Sequence, residues 1–167
     1  KPILESKLDT VSSGQFKAIV YANQADQSEH LALVKGDVTL GGPVLVRMHA
    51  FNMIDDIQSA EKTLELHRAM EMINEEGRGA VVMLRNPSTT FISDRLKKNK
   101  IERGLTFRGY GIGAQILLDL GIQEMNILSN TERTLVGLEG YGLSIAERRP
   151  IKITKDAPVP VRDGFYE

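Results

Sequence analysis

Near residue 55 the apolar residues of this chain stop arriving in short runs and begin to recur at helical spacing, a change of period that few architectures accommodate. Before it, residues 16–21, 30–35 and 43–49 are Val-, Leu- and Ala-rich runs separated by turn formers such as Gly36-Asp37 and Gly41-Gly42-Pro43. They predict successive strands of a β-meander. After it, Ile57, Ala60, Leu64, Met70 and Ile73 mark one helix that starts on the acidic pair Asp55-Asp56 and stops at Gly77, a residue suited to the left-handed C-terminal position.

Residues 80–84 then read as a buried strand, 86–90 as a loop and the charged segment 94–103 as a solvated helix. A second buried helix is expected over 111–120, stopped by Gly121, followed by strands at 125–128 and 143–147. Between those strands Ser129-Asn130-Thr131-Glu132 has the form of a capping box, which sets a helix start at Ser129. Strands alternate with helices after residue 55, so the expected class is α/β (α+β mixed), an N-terminal meander continued by alternating helices and strands in a mixed sheet.

A chain of 167 residues supports one core and not two domains of ordinary size. A single domain over 1–167 is expected, with 1–7 a linker from an upstream domain and 152–167 a loosely held tail. Lys1 in place of an initiator Met points to a fragment of a longer polypeptide. The 21 basic and 22 acidic residues are interspersed and nearly cancel, which argues against nucleic acid or an anionic membrane as partner. No run approaches the roughly 20 apolar residues of a membrane span, and the polar N-terminus has no signal-peptide core. A cytoplasmic location is expected. The chain has no cysteine, which removes disulfides, thiolate nucleophiles and thiolate metal sites together.

Four ordered blocks carry functional interest: Glu29-His30-Leu31-Ala32-Leu33-Val34-Lys35-Gly36-Asp37, Val44-Leu45-Val46-Arg47-Met48-His49, Arg108-Gly109-Tyr110-Gly111-Ile112-Gly113-Ala114-Gln115-Ile116-Leu117, and the segment 135–142. Together they resemble GTP cyclohydrolase II of riboflavin biosynthesis, from about Leu8 to Ile151. The resemblance implies a GTP cyclohydrolase II-like fold and an enzyme that opens the imidazole ring of GTP by hydrolysis, releasing formate and pyrophosphate with the help of Zn²⁺ and Mg²⁺. It also implies a homodimer, and fusion behind a 3,4-dihydroxy-2-butanone 4-phosphate synthase domain, as in many bacteria and in plants.

The same resemblance sets out what this chain lacks. The family carries three zinc-binding cysteines after its Arg-x-His block, the last two as a Cys-x-Cys pair before a helix. Here Arg47-Met48-His49 runs into Ala50-Phe51-Asn52, and the pair falls near Ala60-Glu61-Lys62. A hydrolytic zinc site needs about three protein ligands and an open position for water, and no metal cofactor is expected. His49, Asp55, Asp56 and His67 lack the tight spacing of a substitute site. Asp55-Asp56 is explained as an anion pair at a helix start, and His49 and His67 as structural.

The family's phosphate loop, Arg-Gln-Glu-Gly-Arg-Gly-Ile-Gly-Leu, becomes Arg85-Asn86-Pro87-Ser88-Thr89-Thr90, in which only Arg85 has a counterpart. Glu75-Glu76-Gly77-Arg78-Gly79 looks like the missing loop but serves the helix stop. In the family's Asp-x-Arg-x-Tyr block an aspartate general base is paired with an arginine nucleophile. Arg108 keeps the second position while Thr106 takes the first, and threonine does not ionise near neutral pH. Gly109, Gly111 and Gly113 lack the spacing of a dinucleotide fingerprint and are expected to permit close packing. Ser129 stands for a threonine that contacts GTP at a helix N-terminus, Arg133 lies in the family's basic turn, and Thr134 replaces its phosphate-contacting lysine.

Arg47, His49, Arg85 and Ser129 are therefore the candidate nucleotide-binding residues, and Arg108 the candidate catalytic one. Three functions compete: a catalytically silent domain that stabilises or regulates a fused synthase, a nucleotide sensor without chemistry, and an enzyme with altered, metal-independent chemistry that Arg108→Ala would abolish.

Overall fold

The computed structural model describes residues 1–10, 12–86, 88–98, 107–131 and 137–153. Strands β1 (Pro2–Asp9), β2 (Gln15–Ala22), β3 (Glu29–Lys35) and β4 (Val44–Phe51) lead to helices α1 (Met53–Gln58) and α2 (Glu61–Glu76). Strand β5 (Gly79–Arg85), helices α3 (Phe91–Lys98) and α4 (Phe107–Asp119), and strands β6 (Glu124–Leu128) and β7 (Ser144–Arg149) follow. All seven strands form one mixed sheet in the order β1-β2-β3-β5-β4-β6-β7. The α/β class and mixed sheet expected from the change of period are present.

The meander is only partly so. β1, β2 and β3 are antiparallel neighbours, but β5 inserts between β3 and β4, antiparallel to the first and parallel to the second. Turn residues before Val44 predict a reversal of the chain and say nothing of which strand it meets, so the third predicted strand leaves the meander. Residues 2–7, expected within a linker over 1–7, belong instead to the edge strand β1 (Pro2–Asp9), exposed along its whole length. With no buried face it carries no periodic apolar signal.

Two layers of helix cover the sheet. Ala69, Met70 and Ile73 of α2 pack with Phe16, Leu33, Leu45 and Val81 on one face. On the other, Ala114, Ile116 and Leu117 of α4 pack with Ala32, Val46, Val82 and Ile127. Neighbouring residues of β4 and β5 thus enter different cores, and these strands read as continuous apolar runs. The predicted helix from Asp55 is two helices. Ser59 and Ala60 break it, with Ser59 extended (φ −157°, ψ 140°) and its Oγ accepting the Glu61 amide (3.1 Å). Gly77 closes α2 in the left-handed conformation (φ 80°), as the helix stop requires.

Gly79, at the start of β5, sits where a Cβ would lie 2.6 Å from the Leu45 carbonyl oxygen and 2.8 Å from Ile73 Cγ2. Neither the strand backbone nor a fully buried isoleucine can move away cheaply. Gly79→Ala is expected to cost about 1–3 kcal/mol of stability, read as a lower midpoint in urea. An unchanged midpoint would show that the α2–β5 contact is looser than these distances say.

Candidate functional site

The parallel half of the sheet contains a point where connections leave in opposite directions. From its C-terminal end β4 runs through α1 and α2 to β5 on one side, while β6 runs to β7 on the other. In open α/β sheets such a switch point opens a crevice at the strands' carboxyl ends, where ligands bind. Here β4 pairs with β6 only over Val44–Val46, although it stays paired with β5 as far as Phe51. The residues of β4 beyond Val46 therefore border the place that such a crevice would occupy.

Arg47 is the first of them, and its guanidinium spans the divergence. Nη1 donates to the Leu128 carbonyl (3.2 Å), and Nη2 donates to Glu65 Oε2 on α2 (3.2 Å). The other oxygen of Glu65 accepts from Asn130 Nδ2 (3.2 Å), and Asn130 also exchanges hydrogen bonds with the backbone of Ile151. Burial lowers the Arg47 pKa, with Glu65 opposing the shift. Arg47 is thus bonded within the protein rather than extended toward solvent, and it joins β4, α2 and the segment after β6.

His49 lies two residues on, on the same α2-facing side of β4. It is 4% exposed, and its Nδ1 meets no hydrogen-bond partner among the described residues. Burial first, then the charges of Arg47 and Lys62, push its pKa down to about 4, so the ring is neutral at pH 7. Asp55 is also buried, and each of its oxygens receives one cation: Lys62 Nζ at Oδ2 (2.8 Å) and Arg95 Nη2 at Oδ1 (3.1 Å). Asp55 is in the first turn of α1, as predicted, with Asn52 capping that helix through Oδ1. Its burial between two cations is the feature that a surface anion pair does not explain. The described part of the solvated helix expected over 94–103 is α3, exposed at most positions, and Arg95 is its exception, turned inward. Residues 99–103 lie outside the described residues.

The remaining candidates are dispersed. Arg85 ends β5, opposite Phe51 in the pairing with β4, and is exposed. Its amide donates to Nδ1 of the buried His30 (3.1 Å), which fixes the proton on Nε2, 3.0 Å from Ser28 Oγ. Burial lowers the His30 pKa, and Arg85 adds to the shift while Asp26 opposes it. Ser129 is buried at the end of β6. Its Oγ accepts the Thr131 amide (3.1 Å), and its own amide donates to the Arg149 carbonyl (3.0 Å). The capping partner Glu132, along with Arg133 and Thr134, lies outside the described residues. Arg108 occupies the second position of α4, and Thr106 lies outside the described residues. Gly113 lets α4 approach β4 closely: a Cβ there would run into Met48 and come within 3.3 Å of Leu84.

Arg47, His49 and Ser129 thus gather at the crevice, while Arg85 lies on the far side of β4. Glu65, Lys62, Arg95 and Asn130 complete the network and were not singled out from sequence. Glu65 and Lys62 look like ordinary polar positions of an amphipathic helix, and nothing local marks Arg95 among its charged neighbours. The absence of cysteine and the lack, among the described residues, of any group of three His, Asp or Glu able to hold a metal leave the implied zinc without a fitting donor set. Among the described residues no helix is long and apolar enough to cross a membrane.

Comparison with known proteins agrees with this architecture. The family profile for GTP cyclohydrolase II matches residues 1–150. Riboflavin biosynthesis protein RibBA of Bacillus subtilis (strain 168) is 40% identical over 159 residues, covering 84% of this chain and 40% of the relative. The protein of the same name from Bacillus cereus (strain G9842) is 37% identical over 158 residues, with the same coverage. A crystal structure of RibBX, a two-domain 3,4-dihydroxy-2-butanone 4-phosphate synthase from A. baumannii, matches with a TM-score of 0.58 at 24% identity, over 89% of this chain and 40% of that one. That match is a likeness of fold. The chain spans about 40% of the length of each of these relatives.

Proposed function

Since this chain belongs to the GTP cyclohydrolase II family, we propose that it is a riboflavin-biosynthesis domain whose own active site is silent, serving to stabilise or regulate a fused 3,4-dihydroxy-2-butanone 4-phosphate synthase. The observation that carries this reading is the engagement of the crevice's charges. Arg47 is bonded to Glu65, and Lys62 and Arg95 to Asp55, so these three cations already have internal anionic partners. Hydrolysis of GTP would require a metal-activated water or an equivalent base. The residues in place offer a neutral buried His49 and, in the block that holds Arg108, a threonine at position 106 where the family has a carboxylate. On this reading the domain needs neither zinc nor magnesium, acts in the cytoplasm, and works as a homodimer with its synthase partner.

Nucleotide sensing without turnover is the second reading. It is favoured by Arg85, whose side chain is exposed at the carboxyl end of β5, where it can meet a phosphate. Incubating the domain with GTP, Zn²⁺ and Mg²⁺ while following binding heat and formate separates the cases. No formate above the uncatalysed rate is expected. Formate at an enzymatic rate, lost in Arg108→Ala, would sink the silent-domain reading, and saturable heat without formate would establish the sensor.

A further inference from the structure

Lys62 is in an unfavourable place for a lysine. It occupies the first turn of α2, where the helix dipole repels a cation, and the N-cap residue Ala60 makes no side-chain hydrogen bond. Arg95 is equally displaced, its side chain only 4% exposed on a short helix whose Ile92 and Leu96 face solvent. Asp55 receives both. Asp55 is itself fixed, because Asn52 Oδ1 accepts the amides of Ile54 and Asp55 at the start of α1.

We propose that Asp55, Lys62 and Arg95 form an ionic hub that replaces the metal implied for this region, fastening α1, α2 and α3 over the carboxyl ends of β4 and β5 without any bound ion. The inference rests on the family assignment and goes beyond the silent-domain reading by naming the residues that take the metal's place. Two cations bring the formal charge of a divalent ion, and the two oxygens of Asp55 separate them, each receiving one at hydrogen-bonding distance. By the resemblance, the family's Cys-x-Cys pair falls near Ala60-Glu61-Lys62, the segment that holds this lysine. Its charge is felt at His49, so the hub reaches the crevice electrostatically. Removing Asp55 leaves two cations without this shared anion, whereas removing it together with one of them strands less charge.

The test is a double-mutant cycle on thermal unfolding, with Asp55→Asn, Lys62→Met and the pair, and a second cycle with Arg95→Met, each with and without EDTA, alongside the zinc content of the purified domain. The hub predicts zinc well below one atom per chain and a Tm indifferent to EDTA. It also predicts a fall of roughly 5–10 °C in Asp55→Asn, with each double variant losing less than the sum of its singles. Stoichiometric zinc, a Tm lowered by EDTA, or additive cycles would each overturn it. Should Asp55→Asn fail to fold, the partly exposed Lys62→Met still decides: an unchanged Tm and unchanged His49 titration, followed by NMR, overturn the hub. Formate release tests the silent-domain reading separately, so either can fail alone.

Discussion

Replacing Glu65 by alanine is expected to destabilise the domain by about 3 kcal/mol, a fall in Tm of roughly 10 °C for a chain of this size. Glu65 is the anion that receives Arg47, and the side chains of the pair are only 15% and 12% exposed. Without it the guanidinium keeps one carbonyl partner, on Leu128, and its Nε, already lacking a partner among the described residues, gains none. Asn130 Nδ2 loses an acceptor as well. The cost falls at the low end for a broken buried pair because some water still reaches both groups. Arg47→Met in the same chain is expected to recover much of the loss, since it removes the stranded charge. Equal midpoints for wild type and Glu65→Ala in urea would mean that Arg47 finds water instead, and that the crevice is open where the structure closes it.

Acidification should weaken the fold through His49. Its pKa is about 4 when folded, against an ordinary 6.5, so between these values the unfolded chain holds a proton that the folded one does not. Stability therefore falls as pH is lowered from 6.5 toward 4, by an amount on the order of 3 kcal/mol across the window, and this term is constant above it. The cause is burial first, with Arg47 and Lys62 adding repulsion against a third positive charge. His30 shifts in the same direction and contributes the same sign. In a series of urea titrations from pH 7.5 to 4.5, His49→Gln should show a visibly shallower decline than wild type. Parallel curves would assign the acid sensitivity elsewhere.

Both effects arise from charges buried beside the carboxyl ends of the central strands, and their legibility in the sequence was uneven. Arg47 and His49 stand in a block whose resemblance to a known family points to the site directly. Asp55 was visible as a helix-start anion, which it is. Its second role depends on Lys62 seven residues on and Arg95 forty residues on, and no local pattern distinguishes those two from solvent-facing neighbours. Arg95 follows Asp94 and precedes Lys97, in a segment whose composition is that of an exposed helix. The buried His30 likewise owes its ordered ring to the Arg85 amide, 55 residues away.

Hydrophobic period and turn chemistry by themselves determined the strand at 80–84, the buried helix over 111–120, the stop at Gly77 and the α/β class, because these depend on residues within a turn or two of each other. The order of the four blocks determined the family, and the residue count excluded thiolate chemistry. Only the tertiary structure decided that β5 lies between β3 and β4, that residues 2–9 pair as an edge strand, that Arg47 meets Glu65, and that Lys62 and Arg95 both meet Asp55. Strand order is set by which faces two helical layers must cover. The partner of a buried charge is set by which elements those layers bring within about 3 Å, a distance that sequence separation does not encode.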